Sequence, residues 1–155
     1  MNSYWKVNDK KFENTEKVQK CIDEQCQELN KITNGNVKAI FQPKRESVFT
    51  ITQKTVSSIN NIFTNEKERK AYDLIANKEY EFYITDKNNE YEFPIFTILM
   101  NNKFPINLIL DNSLAYELLL NEKYKLDSYE EFDALFREIL QSNRITYIIE
   151  QLNQL

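Results

Sequence analysis

The chain contains no histidine, and that absence removes more chemistry than any motif in it supplies. Without an imidazole there is no Ser–His or Cys–His dyad, no histidine general base and no imidazole metal ligand. A single glycine, Gly35, stands among 155 residues, so no glycine-rich loop can cradle a phosphate, whether of the Walker or the dinucleotide kind. Two cysteines, Cys21 and Cys26, are too few for a zinc site. Five positions apart on a helix, they diverge by about 140° of azimuth, which is wrong for a mutual disulfide. Two free thiols in a reducing compartment are expected. No stretch approaches the roughly 18 apolar residues of a membrane span, and "MNSYWKVNDKKF" lacks the apolar core of a secretory signal. A cytoplasmic protein without a cofactor is the expectation. Metal-dependent carboxylate chemistry, glycosidase-type carboxylate pairs and lysine chemistry survive these exclusions.

What is present is ordinary for a folded, soluble chain. Hydrophobic residues make up 41% and charged residues 28%, consistent with one domain over residues 1–155 that closes a real core. Nine Tyr and ten Phe supply large side chains to fill it. Asparagine is abundant, and as the next most tolerant residue for positive φ it is expected to take over glycine's work in turns and helix ends. Lys far outnumbers Arg, and Asn, Ile, Lys, Phe and Tyr are all frequent. That is the bias of an AT-rich genome, as in a low-GC bacterium or its phage. A net charge of -4 argues against nucleic acid as the main partner, since a phosphate backbone needs a basic face. A basic protein partner is compatible with it.

The expected fold class is α+β: an antiparallel sheet, built from a hairpin over 37–52 and a meander over 80–110, packed with N-terminal and C-terminal helices. "NTEKVQKCIDEQCQELNKITNG" predicts the first helix, with Val18, Cys21, Ile22, Leu29 and Ile32 on one stripe, Asn14 as N-cap and Asn34-Gly35 as the stop. Val37, Ala39 and Phe41 alternate as a strand before a Pro43-to-Glu46 turn and a second strand from Val48 to Thr52. "TVSSINNIF" has helical spacing but weak helix formers, and Thr64 or Asn65 caps "EKERKAYDLIANK". At the C-terminus, Asn112 or Ser113 caps "SLAYELLLNEK". Ser128 and Glu131 form a capping-box pair ahead of Phe132, Leu135, Phe136, Ile139 and Leu140, and Ser142 recaps a last helix carrying Ile145, Ile148, Ile149 and Leu152.

Between these helices "YEFPIFTILMNNKFPINLILDN" writes Phe-Pro-Ile-x-x-Ile-Leu twice, at Phe93 and at Phe104. Two neighbouring strands solving one packing problem account for it. With a two-residue turn at Asn101-Asn102, Leu99 faces Phe104, Thr97 faces Ile106, Ile95 faces Leu108 and Phe93 faces Leu110. The preceding "YEFYIT" then lays Tyr80, Phe82 and Ile84 beside Ile95, Phe93 and Tyr91, all on one buried face. Pro94 conflicts with a central strand because it cannot donate to the ladder, so the strand stops short of it or bulges there.

This register turns Tyr83, Phe96, Ile98, Met100 and Ile109 outward, with Glu81, Glu90 and Glu92 around them. So apolar a face is not left in water. Either a helix such as 14–33 covers it, or it receives a protein: a basic partner such as a toxin or nuclease, or a second copy of the chain. These eight residues are the candidate partner-binding site; no catalytic or metal-binding residue is assigned. The leading expectation is a small non-catalytic protein-binding domain, most concretely an inhibitor or immunity-type protein that neutralises its partner by occlusion. A second is a metal-dependent hydrolase or nuclease using the carboxylates Asp86, Glu90 and Glu92, although their spacing matches no metal loop. Glu130 and Glu131 belong to a helix's first turn, where acids are expected from the dipole. A third is a homo-oligomeric accessory or structural protein.

Overall fold

Helix α1, Glu16–Ile32, ends where Asn34 and Gly35 both take positive φ, 51° and 78°. Asn89 does the same at 57° in the turn after Asp86, so asparagine does stand in for the missing glycines. The Thr33 hydroxyl donates to the Leu29 carbonyl at 2.8 Å and accepts from Val37 N at 3.2 Å, stitching the helix end to the first strand.

The computed structural model describes residues 3–7, 11–45 and 66–155 and, for 72–75, the backbone only. The strand predicted over 48–52, the weakly helical stretch 55–63 and the cap at 64 or 65 lie outside these residues. The remaining elements are β1 (Val37–Pro43), α2 (Glu66–Ile75), β2 (Lys78–Asp86), β3 (Glu92–Met100), β4 (Ile106–Leu110), α3 (Asn112–Leu118), β5 (Lys123–Leu126), α4 (Tyr129–Leu140) and α5 (Asn143–Asn153). The fold is α+β. Five antiparallel strands lie in meander order β1-β2-β3-β4-β5, with helices at both ends of the chain. Among the described residues no helix is long and apolar enough to cross a membrane.

Side-chain caps set the C-terminal helices. The Ser128 hydroxyl accepts from Glu131 N at 3.2 Å, and the Glu131 carboxylate reaches back to accept from Asp127 N at 2.7 Å. Ser142 accepts from Ile145 N to start α5. For α3 the cap is Asp111, which accepts from Leu114 N, rather than Asn112 or Ser113. At α1 the Asn14 side chain accepts from Glu16 N, while Thr15 occupies the N-cap position.

The meander register departs from the expected one. Leu108 faces Ile98 and not Ile95, and Leu110 faces Phe96 and not Phe93, a displacement of three residues. An odd displacement exchanges the two faces of a strand. Two causes are visible. Phe82 pairs with Phe96 but the adjacent Tyr83 pairs with Pro94, which leaves Ile95 as the extra residue of a bulge, and Pro94 is where a ladder donor is missing. The β3–β4 connection is also longer than two residues because the segment before α1 holds it open. Thr15 N donates to the Asn102 carbonyl at 3.1 Å, the Thr15 hydroxyl to the Asn101 carbonyl at 2.7 Å, and Phe104 N to the Glu13 carbonyl at 2.8 Å.

The core face therefore carries Phe82 and Ile84 of β2, Phe96, Ile98 and Met100 of β3, and Ile106, Leu108 and Leu110 of β4, all buried. Phe136 of α4 sets its ring edge-on to both Phe82 and Phe96, with centroids 5.8 and 5.9 Å away. Val18, Ile22 and Leu29 of α1 and Ile145, Ile148 and Leu152 of α5 close the same core.

Candidate functional site

The opposite face of the sheet is built from the alternate residues of each strand. Following the register, one row across it reads Gln42, Glu81, Thr97, Ile109, Lys123; the next reads Glu79, Leu99, Asn107, Lys125; on the other side lie Ile40, Tyr83 and Pro94. Ile40, Tyr83, Leu99 and Ile109 are half-buried yet stand outside the core cluster, into which α1, α3, α4 and α5 insert their apolar residues. The strands deliver an apolar strip here because each has one side committed to the core and some of its β-branched and aromatic residues left for the other.

Charge on this face is organised by Arg45, just beyond β1. Its guanidinium donates to the carboxylates of Glu81 and Glu92 and lies over the Tyr83 ring, 4.6 Å from the centroid. Gln42 adds a 2.9 Å hydrogen bond to Glu81. Burial pushes the Glu81 carboxyl up, but the bonds from Gln42 and Arg45 outweigh it and leave the group below its usual range. The hydrogen bonds to Glu92 and then Glu81 hold the guanidinium charge more firmly than usual. Burial raises the Tyr83 phenol, partly offset by Arg45. The acids are thus answered within the chain.

The structure brings Glu81, Tyr83 and Glu92 together, places Ile109 in the same row as Glu81, and leaves Glu90 apart in the β2–β3 turn. Phe96, Ile98 and Met100 are corrected: they lie in the core at 3%, 0% and 5% exposure, on the side opposite the one expected. Leu99 and Thr97 take their outward places. Ile40, Gln42 and Arg45 were not singled out from sequence, and Leu99, expected on the core side opposite Phe104, is corrected to the other face, paired with Asn107. Ile40 and Leu99 followed once the register was known; Arg45 carried no signal, since a lone arginine after a strand is common.

The carboxylates Asp86, Glu90 and Glu92 do not form a cation cage. Asp86 is buried, and its carboxylate accepts from the backbone N–H groups of Asn88 at 3.1 Å, Glu90 at 2.8 Å and Tyr91 at 2.8 Å. Those bonds, Tyr91's foremost, hold its carboxyl below the ordinary range. Its lone pairs organise a turn. Among the described residues no group of three or more potential ligands is placed to hold a metal ion.

One further cleft, of about 260 Å³, lies between α1 and α4 and is lined by Cys21, Tyr129, Asp133 and Arg137 among others. Asp133 and Arg137 pair with each other at 2.9 Å, Cys21 is hydrogen-bonded to Tyr129, and burial raises the thiol, so no activated nucleophile results. The hydrogen bond with Cys21 in turn pushes the Tyr129 phenol up to about 12. Among the described residues no buried side-chain polar atom lacks a partner. Comparison of the chain with protein-family models, with curated proteins and with solved structures finds no match.

Proposed function

We propose that this protein is a non-catalytic protein-binding domain that works by occlusion, as inhibitors and immunity proteins do, and that it docks through the sheet face opposite α1, α3, α4 and α5. The observation that carries this is that, among the described residues, the fold is one-sided. Four helices insert into one face, while Ile40, Tyr83, Leu99 and Ile109 form a separate half-buried strip on the other, bordered by the Glu81–Arg45–Glu92 network. Apolar strips with a polar, hydrogen-bonding rim are the general anatomy of protein interfaces. A rigid sheet presents such a strip without the ordering cost that a loop would incur.

The partner's chemistry is bounded by charge. A net charge of -4 favours a basic protein such as a toxin or nuclease over long range. At the strip itself Arg45 already occupies Glu81 and Glu92, so close contact rests on apolar burial, with any incoming cation exchanging for Arg45.

Affinity capture from the native host with wild-type and Leu99→Asp baits tests the proposal. A partner recovered in stoichiometric amount by the wild type and lost by a variant with an unchanged thermal transition is expected. Equal capture by both baits, or no stoichiometric partner from either, overturns it.

A further inference from the structure

We propose that the seam where α1 meets α4 and α5 is a ligand site for a medium-chain carboxylic acid, with the alkyl chain in the apolar end of the seam and the carboxylate at Arg137. The seam lies on the helix side of the sheet, so the inference is independent of the docking face.

Two clefts make up the seam. One, of about 260 Å³, is the cleft between α1 and α4 that holds Cys21, Tyr129 and Arg137. The other, of about 240 Å³, continues past Gln25, Leu140 and Gln141, the residues that line both. Together they form a trough of about 500 Å³, within the range of small-molecule sites. It follows α1 from Cys21 to Ile32, about 16 Å at the helical rise.

The side chains explain why the helices leave this space. On α1 the buried stripe is Val18, Ile22 and Leu29, while Cys21, Gln25 and Glu28 line the trough at i, i+4 and i+7. Gln25 and Glu28 are exposed and do not close the gap. Beneath them Ala39, paired with Ile84, puts only a methyl group between Val37 and Phe41 on the core side of β1. The floor is therefore apolar and deep: Phe82 and Ile84 are buried, and Ile145 and Ile149 of α5 line it too.

At the other end the unmet groups are donors. The Arg137 guanidinium gives its Nε to Asp133 at 2.9 Å, and neither Nη donates a hydrogen bond among the described residues. Lys17 Nζ adds a second cation, 5.7 Å from the Tyr129 ring centroid. The two acids of this cleft, Asp133 and Glu24, already face Arg137 and Lys20. Unused guanidinium N–H groups in a fixed fork suit a carboxylate. Apolar depth at one end with free donors at the other is the complement of an amphiphile. Bonds of about 1.5 Å in a zigzag advance about 1.25 Å per carbon, so ten to twelve carbons with the head group span the trough.

Isothermal titration calorimetry of the full chain with octanoate through tetradecanoate, at about pH 8 where the acids are ionised and below their micelle concentrations, tests this. One site per chain is expected. Each added methylene is expected to tighten binding about threefold to fourfold up to about twelve carbons, and then no further. Decan-1-ol is expected to bind about tenfold more weakly than decanoate, and Arg137→Gln to erase that difference. Ala39→Leu fills the floor and is expected to weaken acid and alcohol alike by about tenfold or more, with a thermal transition no lower than that of wild type. Arg137 is exposed, so its variant keeps the fold, and the chain-length limit needs no variant at all. No saturable heat would overturn the proposal. So would affinity that keeps rising past twelve carbons, as in adsorption to a surface, an Arg137→Gln variant that still prefers the acid, or an Ala39→Leu variant that binds like wild type.

Discussion

Phe82 stacks on Phe96 across the β2–β3 ladder, ring centroids 4.8 Å apart and planes within 13° of parallel. This pair decides which side of the sheet is inside. The bulged Ile95 lets Phe93 and Phe96 share one face although three positions separate them, and from Phe96 onward the even-numbered residues of β3 enter the core. Phe96→Ala is therefore expected to cost about 3–5 kcal/mol, as large-to-small changes at fully packed aromatic sites do. Leu99→Ala, on the other face, is expected to cost less than about 1.5 kcal/mol. Urea unfolding of the two variants checks the contrast; comparable losses would mean that the bulge is misplaced.

What the sequence disclosed was local. Ser128 with Glu131, Ser142 ahead of Ile145, and Asn34-Gly35 each act within four residues, and each is found where the pattern put it. Register was not disclosed, because it depends on Thr15 gripping Asn101, 86 positions away, and on how Pro94 is accommodated. Lys123–Leu126 did not show itself as a strand: Lys123 closes the helical stretch "SLAYELLLNEK", and four residues with two lysines are too few to show alternation after the leucine run. Arg45 joins Glu81 and Glu92 from 36 and 47 positions away, a convergence that no single-chain spacing reveals. It is the register that changes the membership of the face on β3, where Thr97 and Leu99 stand in place of Phe96, Ile98 and Met100, while Glu81, Tyr83 and Ile109 keep their side.

Asp86 makes stability depend on acid. Its folded-state carboxyl is depressed by the Tyr91, Asn88 and Glu90 N–H groups, so folding favours the ionised form. The stabilisation is complete above the unfolded value, near pH 4, and is lost as pH falls through the lower folded value. Melting temperature measured from about pH 7 down to pH 2 is expected to drop on that limb. Asp86→Asn is expected to lie below wild type at neutral pH, with the gap narrowing towards pH 2. A constant gap would mean that the carboxylate's charge has no part in holding the turn.

Leu119 closes α3 in the left-handed conformation, φ 56°, with 90% of its surface exposed. A branched residue there bears about 1–2 kcal/mol of strain and gains almost nothing from burial. Glycine removes the strain and costs part of it back through a more flexible unfolded chain. Leu119→Gly is expected to stabilise by about 0.5–1 kcal/mol and Leu119→Val to destabilise, both read from denaturant midpoints. Destabilisation by glycine would show that the leucine side chain makes a contact worth more than the strain.

Cys26 provides a chemical gauge of how tightly α1 is packed. Burial first, and the Asp23 charge second, push its thiol up to about 11, and burial raises Cys21 as well. Since the thiolate is the reactive species, at pH 8 the ionised fraction of Cys26 falls about 100-fold below that of an ordinary thiol near 9. Iodoacetamide labelling of the native protein, mapped by mass spectrometry, is therefore expected to modify Cys26 about 100-fold more slowly than the same residue in guanidinium. Both cysteines are free, and their divergence around α1 predicts that mild oxidation leaves them unpaired within the chain. Labelling of native Cys26 at the unfolded rate would mean that α1 detaches from β1 faster than the reagent reacts. The core face would then open in the resting protein, ahead of global unfolding.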